Sequence, residues 1–349
     1  MSNRLFWAVA FACGVAGAEA AAAPGETTVG GKGYIDLSHI AQTSDGATVD
    51  PTGTSVDAKR FYVTIAHRFD ETWSANITTD FNYVGNDNQT QLFVKKAYLQ
   101  GSFGDAFTVR LGSADLPWIP FVEDLYGYRY VENILVERAR FETSADWGLH
   151  ALGEVLNGKI NYAVAAINGN GYKNPSRSSS MDFTGRIGFV PIEGLRLAAG
   201  FRSGKRGLEN ENVDPLHTAK RYELLAAYVN PKLRVGAEYF ETKNWNQVLA
   251  PETDEADGYS VWGSINMRND LAVFTRYDHV NPSKTLQPAL ESTYFNVGLA
   301  YSPRPKVDLA LVYKQDKVEN GSFTTTNGTI GGLREGKYDE IGLWAKLQF

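Results

Sequence analysis

The chain has 349 residues, a net charge of −6 and a mean hydropathy of −0.30. No apolar run of about eighteen residues lies beyond the N-terminus, which excludes a helical membrane protein, and the acidic balance argues against general nucleic-acid binding. The single cysteine, Cys13, falls in the leader segment, so the mature chain has neither disulfides nor thiolate metal sites.

Residues 1–23 have the organisation of a secretory signal peptide. Arg4 gives a short basic start, Leu5 to Gly17 is an apolar stretch too short to span a membrane, and Ala18, Ala20, Ala22 and Ala23 offer small-residue cleavage sites before Pro24. Cleavage is expected between Ala20 and Ala23, leaving residues 24–349 as one unit.

Past Gly30 the chain alternates apolar and polar residues at period two, the signature of half-buried strands. Phe61, Val63 and Ile65 form one such run, and Ala75, Ile77, Thr79, Phe81 and Tyr83 the next. Leu233, Val235, Ala237 and Tyr239 continue the pattern, and Ile341, Leu343, Ala345, Leu347 and Phe349 end it. Many runs approach the 9–11 residues that a tilted transmembrane strand needs. Tight turns are expected near Asp70-Glu71, Gly104-Asp105, Asn157-Gly158, Pro191 to Gly194, Asn230-Pro231, Asn269-Asp270 and Pro303 to Pro305. Longer polar segments fall between them, at 42–57, 85–91, 113–147, 169–180, 204–219, 245–257, 281–292 and 316–336. Strict alternation of short and long connections belongs to outer-membrane barrels. Secreted β-sandwiches and propellers have no such requirement.

The alternation also sets the strand count. Treating 135–145 as a strand gives seventeen and moves every later tight turn to the wrong side. Placing it in the long 113–147 connection gives sixteen, an even number as bacterial barrels have. The expected fold is therefore all-β: a transmembrane antiparallel barrel of 16 strands with an aqueous lumen, in which residues 113–147 fold inward as a constriction loop. An aromatic C-terminus, Phe349, in the outward phase of the last strand agrees with it.

The phase opposite to the apolar one faces the lumen, where charge sets selectivity. Lys96, Arg110, Arg186 and Arg276 fall at mid-depth with Asp80 and Glu238, and the loop adds Arg129, Arg138 and Arg140. These nine are the expected pore-lining and constriction residues. Guanidinium groups suit carboxylate and phosphate, so the excess of bases favours small anions. The loop also carries Glu123, Asp124, Glu132, Glu137 and Glu142. A basic wall balanced by an acidic loop, without anion specificity, is the second reading.

The runs Arg110-Leu111-Gly112, Pro117-Trp118, Leu125 to Val131, Ser144 to Gly148 and Asn168 to Tyr172 resemble the phosphate-selective porin O and P family, as do Lys59-Arg60-Phe61 and Trp73-Ser74-Ala75. The resemblance is sharpest between 59 and 172. It implies a sixteen-stranded, homotrimeric channel in the bacterial outer membrane, where an arginine ladder guides anions to basic residues at a constriction. The wall arginines here are similar in character to such a ladder without matching it position by position. Lysine, which helps bind phosphate in that family, is missing between Ser113 and Trp147.

Some outer-membrane barrels are hydrolases. Here His39, His67, His150, His217 and His279 are scattered without a short-spaced pair, and Glu209, Glu211 and Asp214 form an acidic loop and not a ligand set. The expectation is a non-enzymatic porin for passive diffusion of small hydrophilic solutes, with anions such as phosphate preferred. A general porin with little anion preference is the alternative. Neither cofactor, metal nor nucleic acid is called for; outer-membrane lipid is the surrounding partner.

Overall fold

A computed structural model describes residues 23–84, 89–175, 177–209 and 214–349; residues 1–22, nearly all of the expected 1–23 leader, and part of the 85–91 connection lie outside them. Sixteen strands follow one another: β1 (Thr27–Ser44), β2 (Ala47–Arg68), β3 (Trp73–Val84), β4 (Gln89–Ser102), β5 (Thr108–Asp115), β6 (Ala145–Val155), β7 (Ile160–Ile167) and β8 (Asp182–Phe189) in the first half. The second half has β9 (Leu195–Gly204), β10 (Ala219–Val229), β11 (Leu233–Lys243), β12 (Glu255–Arg268), β13 (Leu271–Asn281), β14 (Glu291–Arg304), β15 (Val307–Thr325) and β16 (Gly328–Gln348). Each pairs antiparallel with its sequence neighbours, and β1 pairs with β16 to close the barrel. Closure satisfies every ladder without leaving an edge, the condition for a sheet in lipid.

Exposure alternates residue by residue along β10, β11 and β13. The exposed phase is the apolar one: Tyr222 and Leu224 on β10, Tyr239 on β11, Tyr259 and Val261 on β12, and Val297 and Leu299 on β14 all face outward. Such a continuous apolar exterior has no place on a protein in water. The 11 residues of β10 run roughly 36 Å at about 3.3 Å per residue. Tilted by about 45°, they cover the ~25 Å apolar band of an outer-membrane barrel.

All the expected tight turns are present between β2 and β3, β4 and β5, and so on to β14 and β15. Two of the expected long loops are instead paired. β1 and β2 continue through 42–57 to a turn at Asp45-Gly46 (φ 50° and 85°), and β15 and β16 continue through most of 316–336. Polar composition there signals water on both faces, and a ladder needs only backbone groups; Asp-Gly with positive φ at both positions is the tight hairpin turn. Asp45 ties the two raised hairpins together, its carboxylate accepting from the backbone N–H groups of Leu333 (2.8 Å), Arg334 (2.7 Å) and Glu335 (3.1 Å).

The C-terminus locks the seam. Phe349 exchanges two backbone hydrogen bonds with Gly31 (3.0 and 3.1 Å). Its ring lies so close over that glycine that a Cβ there would stand 2.1 Å from Cζ.

Candidate channel lining and the loop inside the barrel

The connection between β5 and β6, residues 116–144, lies inside the barrel. Its first half forms helix α1 (Ile119–Tyr126), with Pro120 in the first turn, where the missing N–H costs nothing. The helix ends at Gly127, left-handed at φ 84°, whose N–H reaches the Glu123 carbonyl at 2.8 Å. A single helical turn, α2 (Leu135–Arg138), follows. Pairing of β5 and β6 takes the ends of the expected 113–147 segment, and 135–145 is indeed not a wall strand.

One face of this loop is apolar and packs on an apolar part of the inner wall. Trp118, Phe121, Val122, Leu125 and Tyr126 pack with Ala198, Leu225, Ala227 and Trp262 on β9 to β12. Tyr130 and Val131 join Phe274, Val312 and Trp344 on β13 to β16. The Tyr128 ring stacks on Phe274 with centroids 4.0 Å apart.

Wall arginines hold the loop backbone from beneath. Arg186 donates from Nε to the Pro117 carbonyl (2.9 Å), Arg276 to Asn133 (2.5 Å), Arg221 to Phe141 (2.7 Å), and Arg234 to Asp124 (2.8 Å). The loop replies with Arg138, bound to Asp278 (2.9 Å) and Asp316 (2.8 Å), and with Glu142, which bridges Arg202 and Arg221 at 2.5 Å each. Burial alone would raise the Glu142 carboxyl, but Arg202 and Arg221 hold it below its ordinary range. Glu238 accepts from the Leu135 N–H at 3.2 Å, and Lys314 bridges Glu132 (3.6 Å) and Glu340 (3.1 Å).

The opposite face of the loop looks toward β1 to β4. Arg129 is paired with Glu123 and, at 3.2 Å, with Glu137. Burial favours protonating Glu137, yet Arg129 and then Arg60 and Lys95 on the facing wall draw its carboxyl below the usual value. Glu123 goes the other way: burial raises it, Arg129 offsets part of this, and the neighbouring Glu137 charge raises it further. At the rim of this face Lys173, in the connection between β7 and β8, is lowered from 10.5, by burial first and then by Arg60, with Lys95 and Arg140 adding to the effect against Asp80.

The nine expected residues thus divide. Arg138, Arg186, Arg276 and Glu238 are sealed between loop and wall, Arg138 with no exposed surface at all. Asp80 is buried against Arg60 at 3.5 Å. Arg110 donates to Gln100 (2.7 Å) below the Tyr98 ring. Lys96, partly exposed, is ion-paired with Asp115 at 2.8 Å. Arg129 keeps some exposure, and Arg140, left-handed at φ 60°, is exposed. Lys314, in the inward phase of β15, was missed without any bulge; two further lysines were missed because of bulges. The β3–β4 register slips at Thr78/Thr79 and the β1–β2 register at Tyr34/Ile35. Each slip turns an extra base inward, Lys95 beside Lys96 and Lys59 beside Arg60, where Lys59 meets Asp36 at 3.3 Å. The signal was a jump in the outward phase, from Leu92 and Val94 to Leu99, and from Val56 to Phe61.

Residues 8–332 match the Gram-negative porin family. The chain belongs to that family. The porin is similar in structure to an anion-selective porin from Comamonas acidovorans, at 12% identity and TM-score 0.68 over 93% of this chain and 99% of that one. It is also similar to OmpT of Vibrio cholerae in its trimer form (11%, 0.64, 93% and 100%) and to the outer membrane channel DcaP of Acinetobacter baumannii (15%, 0.62, 93% and 98%). At these identities the likeness is one of fold. None of the curated proteins matches the porin in sequence. Family and fold together place it in the bacterial outer membrane.

Proposed function

We propose that this porin is a passive channel for small hydrophilic solutes that prefers anions, and that they pass between the loop and the β1 to β5 wall. One observation carries the preference. Among the described residues no carboxylate lies within 4 Å of Lys95, Lys173 or Arg140, whereas Arg138, Arg202, Arg221 and Arg276 are each bonded to acids. These three bases stand on β4, on the β7–β8 connection and on the loop, where low-dielectric walls focus their field. In this reading residues 116–144 form the constriction, and Lys95, Lys96, Arg110, Arg129 and Arg140 line it. The leader 1–23 is removed on export, and the channel catalyses no reaction. Three copies assemble, as in the relative described as a trimer. Inorganic phosphate is one of the anions that pass.

Reversal potentials across a planar bilayer under a KCl gradient test the preference. Chloride is expected to carry most of the current; a cation-preferring channel would refute it. The loop adds a pH dependence. The Glu123 carboxyl is raised above 4.5 while Glu137 is held below it. As pH falls, Glu123 gains its proton before an ordinary glutamate would, and Arg129 loses one of its two partners. Anion preference should increase with acidification, starting above the normal glutamate range. Glu123→Gln should show the increased preference already at neutral pH and lose this part of the titration. A flat pH profile in the unaltered porin would count against it.

A further inference from the structure

The β1 to β4 wall and the loop face opposite it carry rings as well as charge, Tyr62 and Phe93 half-buried and Tyr34, Tyr130, Tyr172 and Lys95 buried. The Phe93 and Tyr172 centroids are 5.9 Å apart, Tyr62 and Tyr34 6.1 Å, and Tyr34 and Tyr130 6.4 Å. Ammonium groups sit over this series. Lys173 Nζ is 4.6 Å from the Phe93 centroid, Lys95 is 4.8 Å from Tyr62 and 5.8 Å from Tyr172, and Lys346 is 5.7 Å from Tyr130. Lys95 also donates to the Tyr62 hydroxyl at 3.4 Å. The series leads from the loop-side mouth, at Lys173, past the loop face that bears Arg129, to Tyr130.

A chloride or phosphate channel needs the bases alone. Aromatic faces add something only for a solute that has a ring, through offset or edge contacts with centroids 4.5–7 Å apart. A lysine over such a face is placed to take the carboxylate of a solute whose ring meets the next aromatic side chain. We propose that Lys95, Lys173, Phe93, Tyr62 and Tyr172 form a binding site for aromatic carboxylates. The ring lies against Tyr62 and Phe93, with Tyr172 behind, and the carboxylate bridges Lys95 and Lys173. Arg140 supplies the field that brings the anion in, and Asp80 is neutralised by Arg60 at 3.5 Å. This rests on the channel reading above and names the solute class that the same passage selects.

The test is block of the chloride current by benzoate, cyclohexanecarboxylate and acetate, added to the full-length porin in planar bilayers. Benzoate is expected to half-block at a concentration about tenfold below acetate, the upper range for one good ring contact, with cyclohexanecarboxylate between them. Tyr62→Leu and, at the rim, Phe93→Leu should each bring the benzoate-to-acetate ratio most of the way to one. Phe61→Leu, whose ring faces lipid next along β2, should leave that ratio where it is. Lys95→Gln should weaken block by all three. Barrel assembly of each variant is checked by its heat-dependent migration in a gel. Equal block by benzoate and acetate in a chloride-preferring channel overturns the aromatic site and leaves the channel reading standing. So does an unchanged ratio in both ring variants. A channel without anion preference overturns the underlying reading instead.

Discussion

Replacing Arg138 by alanine is expected to release the second half of the loop from the wall and raise single-channel conductance. Arg138 is fully buried, between Asp278 (2.9 Å) and Asp316 (2.8 Å), with its guanidinium 4.5 Å from the centre of the Tyr294 ring. Asp278 would keep Arg276 at 2.6 Å, but no base within ion-pair range would remain for Asp316 among the described residues. Breaking a buried pair from one side costs about 3–5 kcal/mol, because a charge is left without a partner. The barrel does not depend on this contact, since its strands are held by their own ladders. The loss falls on the docking of the loop, and a shift of that size approaches the ~5.5 kcal/mol that takes a two-state equilibrium from one extreme to the other. Larger and noisier conductance, with the barrel still assembled, is the expected record. Arg138→Lys, which keeps the charge but cannot fork to both carboxylates, should fall between the two. Conductance and noise equal to those of the unaltered porin would mean that the apolar contacts of Phe121, Leu125 and Trp262, with the bonds of the wall arginines to the loop, hold it without Arg138.

The same contrast shows what the sequence made legible. Strand count and turn positions could be read because each tight turn carries its own chemistry, as at Asn157-Gly158 and Asn230-Pro231, and because parity forbids an odd strand. The extent of β2 and β16 could not be read from hydropathy, since above the membrane both faces of a strand meet water. The place where the loop docks was written in the chain. Leu225, Phe240, Trp262, Phe274 and Val280 stand in the inward phase, where a wall facing only water would be polar. An apolar patch on consecutive strands β10 to β13 needs an apolar cover, and the β5–β6 connection supplies it. Charge pairing was the illegible part. Phase tells which bases point inward; it does not tell that Arg276 meets Asp278 and the Asn133 carbonyl while Lys95 has no acid within 4 Å among the described residues. Bulges then moved Lys59 and Lys95 out of the count altogether.

Selectivity should therefore respond to Lys95 far more than to Arg276, although both point inward. Lys95→Glu changes the charge by two units on β4, at a side chain that is 9 % exposed and has no carboxylate within 4 Å among the described residues. For an ion passing at roughly 6 Å in water-like dielectric, two unit charges amount to about 1.4 kcal/mol, against chloride and in favour of potassium, or about a hundredfold in the chloride-to-potassium permeability ratio. Glu137 reinforces the effect, because Lys95 now offsets part of its charge and the new glutamate would repel it. Arg276→Gln removes one charge that is already neutralised by Asp278 and separated from the passage by the loop, so its effect on the ratio should be much smaller. Its cost should appear as loop release, through the lost bond to the Asn133 carbonyl. Reversal potentials of the two variants, measured in the same KCl gradient, separate the alternatives. A larger shift for Arg276→Gln than for Lys95→Glu would place the passage on the other side of the loop.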